Sequence, residues 1–168
     1  MGSGKSTIGP ILANTLGFHY VDVDKVIEKK SEKKIVEIFA AVGEKAFRSV
    51  ERQALQEVSS LEAAVVSLGG GTIANEENFD LIHRSGVIVY LQVSAEEILH
   101  RVQRRTDRPL LKDPGGNPLT GAELDARIRE LLKIREQFYS RADIIVPADM
   151  QKVGATVDEI VKKLRRMI

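Results

Sequence analysis

Apolar residues fall along this chain in two alternating rhythms. Short runs at Phe18–Val21, Ala63–Leu68, Val87–Gln92 and Asp143–Val146 each meet a Gly, Asp, Ser or Pro near the C-terminal end, the mark of short buried strands. Between them the period lengthens. Ser6–Leu16 sets Ile8, Ile11, Leu12 and Leu16 on one face, with Gly17 as a stop. Glu44–Leu61 carries Phe47, Val50, Ala54, Leu55 and Val58 at helical spacing, and Lys25–Glu32, Ala95–Arg104, Ala122–Tyr139 and Thr156–Met167 complete the predicted helices. Strand and helix alternate, which predicts a three-layer α/β fold: a central parallel sheet with helices on both faces.

One stretch has neither rhythm. Arg105–Gly121 contains Pro109, Pro114 and Pro118 and three glycines, and a loop of that length inside a compact fold reads as a functional lid. No internal repeat or second domain is visible, so residues 1–168 are expected to form one domain.

Composition narrows the partners. Lys and Arg number 25 against 24 Asp and Glu, so the charge balance gives no reason to expect a nucleic-acid or membrane partner. Cys is absent, which excludes disulfides and thiolate metal sites and fits a cytoplasmic protein. His19, His83 and His100 are scattered without metal-ligand spacing. A monomer acting on a small molecule is the expectation.

The chemistry starts at the N-terminus. Gly2, Ser3, Gly4, Lys5, Ser6 and Thr7 match the second half of G-x-x-x-x-G-K-[ST], directly ahead of an amphipathic helix. Glycines let backbone N–H groups turn in around phosphates, Lys5 neutralises the β/γ oxygens, and Ser6 ligates Mg²⁺. The bland alternative, a flexible Gly-Ser tail, does not explain the helix that follows at once. ATP with Mg²⁺ is the expected cofactor. The motif's first glycine would fall before residue 1, together with the strand that feeds the loop, a strand that P-loop folds place mid-sheet. Either the start is assigned at an internal Met, which is the favoured reading, or the cradle is truncated. A chain beginning at Met1 is therefore expected to fold poorly or to be inactive.

Four further motifs follow: Val21-Asp22-Val23-Asp24, Phe47-Arg48-Ser49-Val50-Glu51, Leu68-Gly69-Gly70-Gly71 and Arg108-Pro109-Leu110-Leu111. In this order behind GKST, they make the chain resemble the shikimate kinases from Phe18 to about Val157. The resemblance implies a P-loop kinase fold of strand order 2-3-1-4-5 with strand 1 absent here, and a lid near residues 105–121. It also implies transfer of the γ-phosphate of ATP to the 3-hydroxyl of shikimate. Asp24 would position the acceptor hydroxyl and serve as base, and Asp22 would face the Mg²⁺ side. Arg48 and Arg135 would clamp the substrate carboxylate, with Arg127 and Arg129 as rivals to Arg135. Gly69, Gly70 and Gly71 would approach the substrate closely. Arg108 would swing in with the lid, and Arg101 and Gln151 would touch the nucleotide.

Each assignment has a plainer counterpart. Asp22 or Asp24 could simply cap the helix that follows. Arg48 could pair with Glu44 or Glu51 on a solvated face, and Arg101 on sequence alone reads as a solvated helix residue. Phe39, Phe47 and Phe138 read as core, with Phe39 and Phe47 also able to wall a substrate pocket. Two rival activities stay open: another small-molecule kinase, for gluconate or a nucleoside monophosphate, and a binding module without turnover.

Overall fold

The computed structural model describes residues 2–103, 109–149 and 152–167. In chain order these form α1 (Lys5–Leu16), β1 (His19–Asp22), α2 (Val23–Ser31), α3 (Ile35–Val58), β2 (Ala64–Ser67), α4 (Glu76–Ser85), β3 (Val89–Gln92) and α5 (Ala95–Val102). A 3-10 turn at Pro109–Leu111 leads to α6 (Gly121–Tyr139), β4 (Ile144–Pro147) and α7 (Val153–Leu164). Of the expected lid, residues 105–108 lie outside the described set. The remainder is locally ordered: Leu111 is buried, Lys112 and Pro118 bridge, and Asp113 Oδ1 accepts the Asn117 N–H at 2.8 Å.

Helix ends are set by local chemistry. Gly17 stops α1 in the left-handed region at φ 70°, where only glycine sits without strain. Asp22, not Asp24, caps α2, its Oδ1 accepting the Asp24 N–H at 3.0 Å, while Asp24 lies in the first turn. Helix α3 begins well ahead of the predicted Glu44 and bends at Gly43 (φ 74°, ψ 174°), so the stretch before the bend escapes a search for one continuous period. Helix α4 was not expected at all. Phe79, Leu81 and Ile82 are too few to set a period, and its ends define it: the Asn75 side chain accepts the Asn78 N–H, Glu76 and Glu77 open it, and His83 and Arg84 close it.

The strands pair in parallel, as predicted, but in two separate halves. β1 pairs with β2 in the register His19–Ala64 to Asp22–Ser67, and β3 pairs with β4 from Val89–Ile144 to Gln92–Pro147. β2 and β3 face each other across a cavity of about 800 Å³. Its walls include Val65 and Val66 of β2 and Val89 and Leu91 of β3, while helices close it above and below, with Leu12 from α1 and Leu131 from α6 among them. The gap separates the two half-sheets. It lies where a middle strand would complete a β1-β2-x-β3-β4 sheet, and its position agrees with the sequence-based expectation that strand 1 is lacking.

Around the gap the apolar core divides accordingly. Val23, Ile27, Ile38, Phe47 and Leu55 bind α2 to α3, while Ile8, Leu12, Ile144, Val146 and Ile160 bind α1 and α7 to β4. One close approach ties α1 to the first half-sheet. A methyl group added at Gly9 would lie 2.5 Å from Tyr20 Cε2 and 3.0 Å from Ser67 Oγ. The Tyr20 phenol is in turn held by Ser67 Oγ at 3.2 Å. Gly9→Ala should therefore cost about 1–3 kcal/mol in overpacking, less the ~1 kcal/mol that alanine returns in helix propensity. A net loss of up to about 2 kcal/mol, and so a fall in Tm of up to roughly 8 °C, is expected, and a raised Tm would show that Tyr20 shifts freely.

Candidate active site

The phosphate cradle is built from the first turn of α1. Gly2 (φ 65°) and Gly4 (φ 90°) both take the left-handed conformation that curls the chain into the helix. The Gly4 carbonyl accepts the N–H groups of Thr7 and Ile8, each at 2.9 Å. The N–H groups of Lys5 and Ser6 thus have no acceptor within the helix, as at any helix start. No acidic residue lies in that turn to neutralise its positive end. Lys5 makes no hydrogen bond or ion pair among the described residues, and the Ser6 and Thr7 side chains are exposed. This arrangement suits an anion with several oxygens.

Arg101 does not float on its helix. Its Nε meets Glu97 at 2.7 Å, Nη1 donates to the Gly2 carbonyl at 2.9 Å, and Nη2 donates to the carbonyls of Ala148 and Asp149 at 3.0 and 2.9 Å. The expectation of a solvated residue is corrected. The guanidinium locks the cradle to the chain beyond β4, a link between segments far apart in sequence that no local pattern reveals. Arg108 and Gln151 lie outside the described residues.

The acceptor side is assembled around the three glycines after β2. A methyl group at Gly69 would sit 3.1 Å from Asp24 Oδ1, 2.9 Å from Thr72 Oγ1 and 3.3 Å from Glu51 Oε1. One at Gly71 would sit 2.7 Å from Arg48 Nη2. Only glycine lets these groups crowd so near the backbone.

Arg48 donates from Nη1 to Glu51 Oε2 at 2.8 Å and from Nη2 to Glu44 Oε1 at 2.9 Å. Burial works against its charge, but Glu51 and Glu44 outweigh it and hold the guanidinium firmly protonated. Glu51 is only 2% exposed, and its other oxygen accepts the Thr72 hydroxyl at 2.6 Å. The Thr72 carbonyl accepts from Asn78 Nδ2 at 2.7 Å. The pairing of Arg48 with Glu44 and Glu51 anticipated as the plain alternative is present, and it aims the guanidinium at the glycine loop instead of leaving it on a solvated face. Phe47 is buried beneath, with its ring centroid 4.4 Å from that of Phe39.

Arg135 of α6 is buried, and four residues later the Tyr139 phenol donates to the Gly70 carbonyl at 2.7 Å. The rival arginines point their bonds elsewhere. Arg127 holds the Leu110 carbonyl at 3.2 Å and Glu130, and Arg129 holds Asp125 and Glu96. Asp22 spends one oxygen on its cap, and among the described residues its Oδ2 meets only the Tyr20 phenol, at 3.4 Å. Among the described residues no cluster of three His, Cys, Asp or Glu could hold a metal alone. Mg²⁺ seldom needs one, since it is commonly held by one or two protein oxygens, phosphate and water. Ser6 with Asp22 suits that donor set.

Sequence reasoning missed three members of this site. Thr72 and Tyr139 were not singled out, and Glu51 was named only as a partner for Arg48, not as a link to the glycine loop. The available signals were spacing: Glu51 lies three residues after Arg48, and Tyr139 four after Arg135, each on the same helix face as its arginine.

Comparison with known proteins agrees with this arrangement. The family model for shikimate kinase matches residues 1–165. Shikimate kinases of Chlorobaculum tepidum and Chlorobaculum parvum are 50% and 48% identical over 167 residues, covering 99% of this chain and 87% and 89% of theirs. Among solved structures, the shikimate kinase of Acinetobacter baumannii in complex with shikimate superimposes with a TM-score of 0.90 at 32% identity, covering 99% of this chain and 89% of that one. The Aquifex aeolicus shikimate kinase gives 0.83 at 34% identity, with 98% and 92% covered. On the family model and these relatives, the chain belongs to the shikimate kinase family.

Proposed function

We propose that this chain transfers the γ-phosphoryl group of ATP to the 3-hydroxyl of shikimate, giving 3-phosphoshikimate and ADP, a step of aromatic amino-acid (chorismate) biosynthesis. The observation that carries this reading is the grouping of Asp24, Arg48 and the Gly69–Gly71 loop: a methyl group added at Gly69 would lie 3.1 Å from Asp24 Oδ1, and one at Gly71 2.7 Å from Arg48 Nη2. A cyclic hydroxy acid needs such a site: cations and backbone donors for its carboxylate, and a carboxylate beside the hydroxyl that reacts.

The roles follow from the groups. Arg48 and Arg135 bind the substrate carboxylate, and the planar guanidinium of Arg48, fixed by Glu51, offers bidentate contact. Gly69, Gly70 and Gly71 let the substrate lie against backbone. Asp24 accepts the hydrogen bond of the 3-hydroxyl, orients its oxygen toward the phosphorus and receives its proton. Gly2, Ser3, Gly4, Lys5, Ser6 and Thr7 surround the phosphates, and Lys5 balances charge on the β/γ oxygens. Ser6 and Asp22 would hold Mg²⁺, which would neutralise phosphate charge. Arg101 and Gln151 serve the nucleotide, and Arg108 serves the transferring phosphoryl group. Residues 1–168 act as one kinase domain with its lid near 105–121. We assign it to the cytoplasm as a monomer; the lack of Cys fits that compartment, and among the described residues no helix is long and apolar enough to cross a membrane.

The test is ADP release with shikimate, gluconate and AMP offered separately as acceptors. Shikimate should be used with a kcat/KM at least 100-fold above the others. Preference for gluconate or AMP would establish the corresponding rival kinase, and binding of shikimate without ADP release would establish a binding module. Lys5→Ala should abolish transfer while shikimate binding, followed by calorimetry, stays within about twofold of the parent. Undiminished turnover in that variant would mean that the GKS match is fortuitous.

A further inference from the structure

We propose that Tyr139 is a positioning residue for carboxylate recognition, pinning the peptide between Gly70 and Gly71 to the helix that carries Arg135. The inference rests on the shikimate reading above and adds a residue to it. Tyr139 is the last residue of α6, and its phenol donates to the Gly70 carbonyl at 2.7 Å. Arg135 lies one helical turn earlier on α6, near enough for its charge to act on the same phenol. The hydroxyl therefore ties the helix that carries the second arginine to the glycine loop.

The ring is fixed as well. Tyr90 of β3 packs on it with centroids 4.7 Å apart, and the Tyr90 hydroxyl reaches Glu136 of α6 at 3.5 Å. Burial raises the Tyr139 pKa and Arg135 opposes that rise, so the phenol is protonated and a donor at neutral pH.

The consequence lies in the geometry of a trans peptide. Its C=O and the next N–H point in opposite directions. Holding the Gly70 carbonyl toward Tyr139 turns the Gly71 N–H away from α6. Arg48 lies within 3 Å of where a Gly71 methyl would be. Neither Gly70 nor Gly71 donates its N–H to a backbone acceptor among the described residues. Tyr139 thus sets the direction of backbone donors lying between two arginines, and it does so without touching the substrate.

Tyr139→Phe removes the hydroxyl and keeps the ring on Tyr90. The KM for shikimate should rise about tenfold, in line with the loss of one buried hydrogen bond. The KM for ATP should stay within twofold of the parent, and Tm should change by no more than a few degrees. With the methyl ester of shikimate as acceptor, which lacks the charged carboxylate, the variant and parent should differ by less than twofold. All values are ratios to the parent in the same background, with or without an added middle strand. An unchanged KM for shikimate overturns the proposal. So does an equal rise for shikimate and its ester, or a joint rise in both substrates' KM with a large fall in Tm, since each marks a merely structural residue. A parent that ignores shikimate would instead sink the functional reading, and this inference with it.

Discussion

Fusing a designed Ile/Val-rich strand that ends in Gly-x ahead of Met1 should raise the Tm by about 10 °C or more and bring ADP release up with it. The reasoning starts from the inner edges of β2 and β3. Among the described residues each pairs along one edge only, so the other edge faces the 800 Å³ gap, and the apolar side chains around it are open to that gap on one side. Five or six strand residues would bury several large aliphatic side chains, each contributing about 1.5–3 kcal/mol. That sum rivals the whole stability of a typical domain, about 5–15 kcal/mol, and each kcal/mol moves Tm by about 2–4 °C at this size. The inserted strand would also enter the cradle through Gly2, supplying the loop's first glycine. Both lengths should be compared by thermal melting and shikimate-dependent ADP release. A control strand carrying a central proline should gain little, because proline cannot complete the ladder. If the chain starting at Met1 melts as sharply and turns over as fast as the extended one, the gap is not a structural deficit.

Arg48→Ala should raise the KM for shikimate by 30-fold or more and leave the KM for ATP almost unchanged. Truncating one partner of a buried, hydrogen-bonded charge pair costs about 2–5 kcal/mol, much of it from the charge left behind. Here two carboxylates are affected. The substrate's loses its fork, and Glu51, 2% exposed, keeps only the Thr72 hydroxyl among its hydrogen bonds in the structure. The variant should therefore lose stability as well, and a melt separates that loss from the binding defect. Arg48→Lys should recover little, since a point charge cannot face Glu51, Glu44 and a third carboxylate in one plane. If Arg48→Ala binds shikimate as the parent does, the carboxylate belongs to other arginines.

The legible parts of this protein were those written in local sequence. All four strands lie within two residues of the apolar runs that predicted them, because a buried parallel strand needs consecutive apolar residues and a turn residue after it. The ends of α1 and α6 were readable for the same reason. Other features depend on contacts made at a distance. Arg101 finds its carbonyls at Gly2, Ala148 and Asp149, and Tyr139 finds Gly70, sixty-nine residues away in sequence. No period or cap encodes those meetings. Helix α4 and the part of α3 before Gly43 were missed for a different reason: each is too short, or too polar, for periodicity to rise above its neighbours. The α2 cap was offered to both aspartates, and the backbone settled it, since an N-cap must be extended and Asp22 still belongs to the strand (φ −111°, ψ 116°).

The division of the strands into two pairs has a consequence for how the molecule comes apart. Each pair joins segments near one another in the chain, β1 with β2 and β3 with β4, and no described strand ladder crosses from one pair to the other. Helix α1 is the main bridge, since it packs on both β1 and β2 and also on α7. The two half-sheets thus share one helix, with a smaller cluster of Ile73, Phe79, Ile88 and Phe138 also joining them, and the phosphate cradle lies at the start of that helix. Native-state hydrogen exchange should resolve two protection levels, one for residues 19–85 and one for residues 88–164. A nucleotide held at the N-terminus of α1 stabilises the shared element, so its binding should draw the two levels together into one unfolding event.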